Sequence, residues 1–275
     1  MRIDSHQHFW MYEKQQHAWI NDAMHIIQKN FMPADLQPVL KKNNIDGCVL
    51  VQVDQTEDEN IFQLKNASGY DFIKGVVGWV DLQAMDIGER LQHYQQFKKM
   101  KGFRHILQDE KDRALMLRPA FKRGIGLLNA YNFTYDILIL PDQLQYTREL
   151  VKSFPDQRFV IDHIAKPDIK NKKNNDWEKD MRALASYKNV YCKISGMVTE
   201  ADWHHWNIKD FFPYLDVIVQ TFGTKRIMFG SDWPVCLVAA SYEQMMAIVQ
   251  EYFSSFSENE QNDFFANNAI KFYNL

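Results

Sequence analysis

The sequence predicts an α/β protein built as a single (β/α)8 barrel, the TIM-barrel architecture, over residues 1–275, and three observations carry that expectation. Eight runs rich in β-branched and aromatic residues recur along the chain at strand length, and helically spaced segments lie between them. No glycine-rich dinucleotide fingerprint follows the first run and no phosphate-cradling loop appears, so an open doubly wound nucleotide-binding sheet is disfavoured. At 275 residues the chain has the length of one such barrel.

The expected strands are 3–9, 47–53, 72–80, 101–107, 135–140, 158–164, 190–195 and 226–232. Helical spacing marks 33–43, where Pro33 sits in the first turn, and 87–99 with Leu91, Tyr94 and Phe97. It returns at 143–154, at 177–187 and at 242–253, where Met245, Met246 and Val249 share a face. A last helix starts with Ser257 and Glu260 at capping-box spacing and runs through Phe264, Phe265, Ile270 and Phe272. The polar stretch 169–176 reads as a loop within the domain, and no linker, repeat or low-complexity segment is evident.

Composition excludes some functions. With 46% hydrophobic residues the chain can bury a large core, and a net charge of −3 offers no basic field for a nucleic-acid backbone. Cys48, Cys192 and Cys236 are odd in number and widely spaced, which suits reduced core residues in a cytoplasmic protein better than disulfides or a zinc knuckle. Neither a signal sequence nor a long apolar span is present, so membrane insertion and export are not expected.

In a barrel, chemistry belongs at the carboxyl ends of the strands. Those ends carry His6 and His8, then Gln52, Trp79, Arg104 with His105, His163, Lys193 with Ser195, and Asp232. His6 and His8 are two residues apart on one strand face, roughly 6.6 Å along the chain, so both rings can address one point. Closure makes the first and last strands neighbours at about 4.8 Å, which brings Asp232 toward that pair, and His163 can reach inward from two strands away. Three imidazoles and a carboxylate suit zinc or a similar divalent ion.

These segments resemble a known group. Asp4-Ser5-His6-Gln7-His8-Phe9-Trp10, Lys101-Gly102-Phe103-Arg104, Asp162-His163-Ile164-Ala165-Lys166-Pro167 and Gly230-Ser231-Asp232-Trp233-Pro234 are similar to motifs of the amidohydrolase superfamily. More narrowly they resemble its sugar-acid lactonases, the L-fuconolactonase and L-rhamnonolactonase group, with 2-pyrone-4,6-dicarboxylate lactonase as a relative. Lys193-Ile194-Ser195-Gly196-Met197-Val198-Thr199-Glu200 fits the same branch, and the likeness runs colinearly over nearly the whole chain. The fourth strand carries Arg104 and His105 where metal-rich members hold a bridging group, which argues for one metal or none. The resemblance implies lactone hydrolysis, with a branch in which a metal is not always required.

The expectations follow. Asp232 is the candidate general base, with His163 as a second catalytic group. His6, His8, His163 and Asp232 are candidate ligands for one divalent ion, zinc first, whose requirement stays open. The resemblance assigns Arg104 to substrate anchoring; Gln52, Lys193 and Trp79 are further candidates for substrate contact. Lys193 equally suits a buried partner of an acidic group, and Asp4 either orients a histidine or is a hydrogen-bonded buried carboxylate. Trp10, Trp19, Trp203, Trp206 and Trp233 either stack on a sugar ring or pack loops. His17, His25 and His93 read as surface residues, His105 as structural, and His204 and His205 as part of a loop over the site. The expected partner is a small sugar lactone, with homo-oligomerisation open. Two rival readings are a metal-dependent decarboxylase of an aromatic or muconic acid, and a silent barrel that binds a sugar acid.

Overall fold

Eight parallel strands form one sheet in chain order: β1 Ile3–Gln7, β2 Gly47–Val51, β3 Ile73–Gly78, β4 Met100–Ile106, β5 Thr134–Leu138, β6 Phe159–Ile161, β7 Val190–Ile194 and β8 Ile227–Phe229. This computed structural model describes residues 1–275, the side chain of Asn175 apart. The barrel closes just beyond β8. There Asp232 N–H donates to His6 O at 2.9 Å and His8 N–H to Trp233 O at 2.7 Å. Asp4 reinforces the seam from inside. Its Oδ1 accepts from Ser231 N–H at 2.9 Å and His6 N–H at 3.1 Å, and its Oδ2 from Tyr242 O–H at 3.0 Å. Of the two roles open to Asp4, the buried hydrogen-bonded carboxylate is the one observed, and burial raises its pKa to about 6.

All eight expected strands are present; each stops one to three residues short of its expected end, and β6 and β8 stop three short. Residues 162–165 form a tight turn with His163, Ile164, Ala165 and Lys166 all at positive φ, and Asp232 also has φ +59°. Side chains other than glycine seldom take this conformation, at about 1–2 kcal/mol each. Both departures from strand geometry fall on residues with chemical groups.

The outer layer is α1 Pro33–Lys42, α2 Glu57–Gly69, α3 Ile87–Tyr94, α4 Pro119–Leu128, α5 Leu144–Ser153, α6 Asn175–Ala185, α7 Phe212–Phe222 and α8 Tyr242–Phe253. Of these, α2, α4 and α7 have no counterpart among the expected helices. The reason is plainest in α2, whose inward face is Glu59, Asn60, Gln63 and Ala67 rather than an apolar stripe. Apart from Gln63 Oε1, the polar groups there have partners. Glu59 accepts from Val53 N–H at 2.6 Å and from Asp54 N–H, while Asn60 accepts from Trp79 N–H at 2.9 Å and donates to Trp79 O at 2.6 Å.

The segment begun by Ser257 is continuous but changes pitch. α9 Glu258–Asn262 is capped by the Ser257–Glu260 pair as expected; a wider π turn at Asp263–Asn267 follows, then α10 Asn268–Tyr273. Phe272 and Tyr273 of α10 pack against Ile3, Val49, Val51, Val77, Val160 and Met228 at the inner, amino-terminal end of the barrel. Cys48, Cys192 and Cys236 are all buried thiols. No helix among the described residues is long and apolar enough to cross a membrane.

Candidate active site

At the carboxyl end of the barrel lies a cavity of about 370 Å³ whose floor includes His8, Arg104, His163 and Asp232. β1 sends His6 and His8 to the same side, and the barrel seam places Asp232 against them. His8 Nε2 is 3.2 Å from His6 Nε2 and 3.3 Å from Asp232 Oδ1; His163 Nε2 is 3.8 Å from that same oxygen. The rings of His6 and His163 lie 4.4 Å apart.

The tautomers are constrained from behind. His8 Nδ1 is 2.8 Å from Val51 O, a carbonyl that can only accept, so Nδ1–H donates there and Nε2 is the nitrogen turned to the floor. His163 Nδ1 is held at 2.9 Å by Ser195 Oγ. Burial holds His163 down at about 4 despite the nearby carboxylates of Asp232 and Asp162. Burial likewise keeps His6 well below its ordinary value, assisted by Lys193 and opposed by Asp162. Both imidazoles are therefore neutral near pH 7. Burial would raise Asp232, but His163, the His8 hydrogen bond and Lys166 outweigh it, and the carboxyl stays below the usual carboxylate value. An ionised carboxylate thus faces the Nε2 atoms of His8 and His163.

That donor set fits one divalent ion. Ligand atoms 2.0–2.1 Å from zinc at tetrahedral angles stand roughly 3.3–3.4 Å apart, close to the spacings of His8 Nε2 to His6 Nε2 and to Asp232 Oδ1. A second grouping, His6, Asp162 and His163, shares His6 with the first. Its carboxylate is already matched, since Asp162 has Lys193 Nζ at 3.0 Å and Arg104 Nη1 at 3.1 Å. The floor fits a single ion better than a pair.

Beneath the floor runs a fully buried charged column. Lys193 Nζ donates to Asp136 Oδ2 at 2.5 Å and stands 3.0 Å from His6 Nδ1. Tyr273 O–H donates to the same Asp136 oxygen at 2.7 Å, so α10 supports the site from below. Arg104 Nη2 is clamped by Gln52 O and, at 2.9 Å, by Gln52 Oε1, and Nη1 lies 3.3 Å from His6 Nε2. Its Nε–H has no acceptor among the described residues.

The family model for amidohydrolases matches residues 3–275. The chain belongs to the amidohydrolase family. This amidohydrolase is 36% identical over 286 aligned positions to an L-fucono-1,5-lactonase of Burkholderia multivorans, with 100% of this chain and 96% of the relative covered. It is 32% identical over 278 positions to an L-fucono-1,5-lactonase of Burkholderia ambifaria, at 100% and 96% coverage. The crystal structure of a Burkholderia multivorans amidohydrolase with bound zinc superimposes with a TM-score of 0.97 at 36% identity, covering 100% of this chain and 99% of that one.

Within this amidohydrolase, the residues expected from sequence divide by depth. His8, Arg104, His163 and Asp232 line the cavity, with His6 fully buried beside them. Gln52 and Lys193 do not reach it: both are fully buried, one holding Arg104 and the other pairing with Asp136 and Asp162, so their expected substrate contacts are replaced by positioning roles. Trp79 also misses the cavity, because Asn60 pins its backbone and its indole Nε1–H points to His105 Nδ1 at 3.3 Å. His105 is structural as expected, its Nε2 2.8 Å from Glu110 Oε1.

Trp10, Trp19 and Trp203 form cavity walls, whereas Trp206 and Trp233 pack elsewhere. His25 and His93 are exposed, but His17 is buried against Trp10 and Tyr12, contrary to its expected surface position. His204 and His205 lie outside this cavity. Among the wall residues passed over in the sequence are Lys166 and Glu200. Their signal was present: each sits inside a motif already singled out, three residues after His163 and five after Ser195.

Proposed function

We propose that this amidohydrolase opens a sugar-acid lactone of the L-fucono-1,5-lactone kind to the aldonic acid, by attack of water on the ring ester carbonyl. One observation carries the reading. His6, His8, His163 and Asp232 converge on a tryptophan-walled cavity in a chain 36% identical along its whole length to an L-fucono-1,5-lactonase.

Asp232 is the general base. Its Oδ1 faces the imidazoles, and Oδ2 takes part in none of those contacts. The carboxylate accepts a proton from water as the water oxygen bonds to the carbonyl carbon. Charge then grows on the carbonyl oxygen, where the Arg104 guanidinium supplies positive potential and a neutral His163 can offer one ring N–H as a donor. Collapse breaks the bond from the carbonyl carbon to the ring oxygen. That oxygen takes up the proton from Asp232, and the new carboxylic acid releases its own to solvent. A divalent ion, zinc first, held by His6, His8 and Asp232 with His163 alongside, would polarise the carbonyl or acidify the water when bound. The tryptophans offer flat apolar faces to the C–H surface of a sugar ring.

The test is a pH-indicator screen of the purified protein over a panel of aldonolactones, with carbon dioxide release measured on aromatic acids in parallel. Acid release from L-fucono-1,5-lactone above the spontaneous rate is expected. Carbon dioxide release with every lactone left intact would refute the reading in favour of a decarboxylase.

A further inference from the structure

Asp109, Lys166 and Glu200 are charged groups of the cavity wall that take no part in the reaction just described, and the last two stand together. Lys166 ends the left-handed run that begins at His163, so one backbone turn delivers His163 to the floor and Lys166 to the wall. Glu200 ends the short turn Val198–Glu200 after β7. The two loops are tied together by Lys170 N–H donating to Glu200 O at 2.9 Å. Lys166 Nζ and Glu200 Oε1 stand 3.7 Å apart, with side chains 19% and 24% exposed. Thr199 Oγ1 lies 3.3 Å from the same carboxylate oxygen.

The pair is looser than a closed charge-assisted hydrogen bond, which spans about 2.7–2.9 Å. An ammonium and a carboxylate side by side repel opposite kinds of charged ligand: an anionic substituent meets Glu200 and a cationic one meets Lys166. A hydroxyl satisfies both, because its proton can go to the carboxylate while its oxygen accepts from the ammonium. Two neighbouring hydroxyls on one ring can share the pair. Partial burial strengthens each contact relative to open water. Consistent with that setting, burial raises the Glu200 carboxyl, against the opposing pull of Lys166.

We infer that Lys166 and Glu200 form a hydroxyl-reading subsite that selects neutral polyhydroxylated lactones and disfavours lactones bearing carboxylates. The inference rests on the lactonase reading and refines it. The wall reads the uncharged part of the ring, and the floor takes the carbonyl and the carboxylate that forms from it.

The experiment compares wild type, Lys166→Met, Glu200→Ala and Glu200→Gln on L-fucono-1,5-lactone and on δ-valerolactone, which has the ring ester but no hydroxyl. Each of Lys166→Met and Glu200→Ala should lower kcat/KM on the hydroxylated lactone by about 10- to 100-fold, the effect of losing a hydrogen bond to a charged group. The loss should lie mainly in KM. On δ-valerolactone the same variants should stay within about threefold of wild type, and Glu200→Gln, which keeps an acceptor, should fall between. Equal losses on both lactones, or no loss on either, would overturn the subsite. A calorimetric titration with L-fucose, an unreactive hydroxylated ring, separates this inference from the lactonase reading. If wild type opens neither lactone, the hydrolase reading fails. In that case weaker L-fucose binding by both variants still supports the subsite, and binding equal to wild type overturns it.

Discussion

Gly196 lies against the back of His163, and replacing it with alanine tests how tightly the floor is positioned. A Cβ at 196 would stand 2.5 Å from His163 Nδ1 and 2.6 Å from Cγ, about 1 Å short of ordinary contact. The backbone offers no relief, since φ is +60°. Holding alanine there costs about 1–2 kcal/mol, and overpacking against a buried ring adds about 1–3 kcal/mol. If the ring retreats by that distance, it loses its 2.9 Å contact with Ser195 Oγ and moves relative to Asp232. A displacement of about 1 Å in a reacting group lowers turnover by about 10²-fold. Gly223→Ala is the control, because φ is +67° there but a Cβ meets nothing within 4 Å. Urea unfolding and lactone turnover of the two variants decide the matter. Gly196→Ala should lose stability and turnover together, while Gly223→Ala should lose stability alone. Turnover of Gly196→Ala close to wild type would refute the claim that His163 is locked in place by Gly196.

Other expectations follow from the buried charges. Lys193→Met leaves Asp136 and Asp162 without their shared cation and should destabilise the fold by about 3–5 kcal/mol, measured by chemical unfolding. Glu59 is raised by burial to about 7, so the folded protein binds its proton more tightly than the unfolded chain does. That group's contribution to stability is full below about 4.5 and is lost as pH rises toward 7, by roughly 3 kcal/mol; wild type minus Glu59→Gln, compared by urea midpoints across this window, should show that fall. Asp232→Asn should lower kcat by about 10²–10⁴-fold while the far-ultraviolet spectrum stays native. Chelation should remove about one divalent equivalent per chain and lower the thermal midpoint, because an ion bound only by the folded state stabilises it.

The barrel was legible because its strands advertise themselves: Val49, Leu50 and Val51, or Ile137 and Leu138, belong to β-branched or aliphatic runs of strand length. The His6–His8 pair was legible for the same reason, since alternation along a strand fixes which side chains share a face. α2 was hidden because it buries Glu59, Asn60 and Gln63 through hydrogen bonds, which a hydrophobic pattern does not register. α7 was hidden in the opposite way, with Leu215, Val217, Ile218 and Val219 crowding several sides of a short helix. Gln52 and Lys193 were placed at the right strand ends, but their depth, and for Lys193 the choice between substrate contact and a buried acidic partner, stayed open. Sequence gives the end of a strand, whereas the partner that draws a polar side chain below the floor lies on another strand: Arg104 for Gln52, and Asp136 for Lys193. Nor does the run from His163 to Lys166 carry a glycine or asparagine to announce its left-handed backbone.

The support that α10 gives the floor ties the first strand to the last helix. His6 stands on the first strand, yet its neighbour Lys193 shares Asp136 with Tyr273 of α10. The first imidazole of the site therefore depends on α10 for its full set of buried partners. A chain cut short of Tyr273 would hold the histidines, Asp232 and every strand, but Asp136 would lack its tyrosine partner. Loss of the Tyr273 hydroxyl would therefore reach the floor through Asp136 and Lys193.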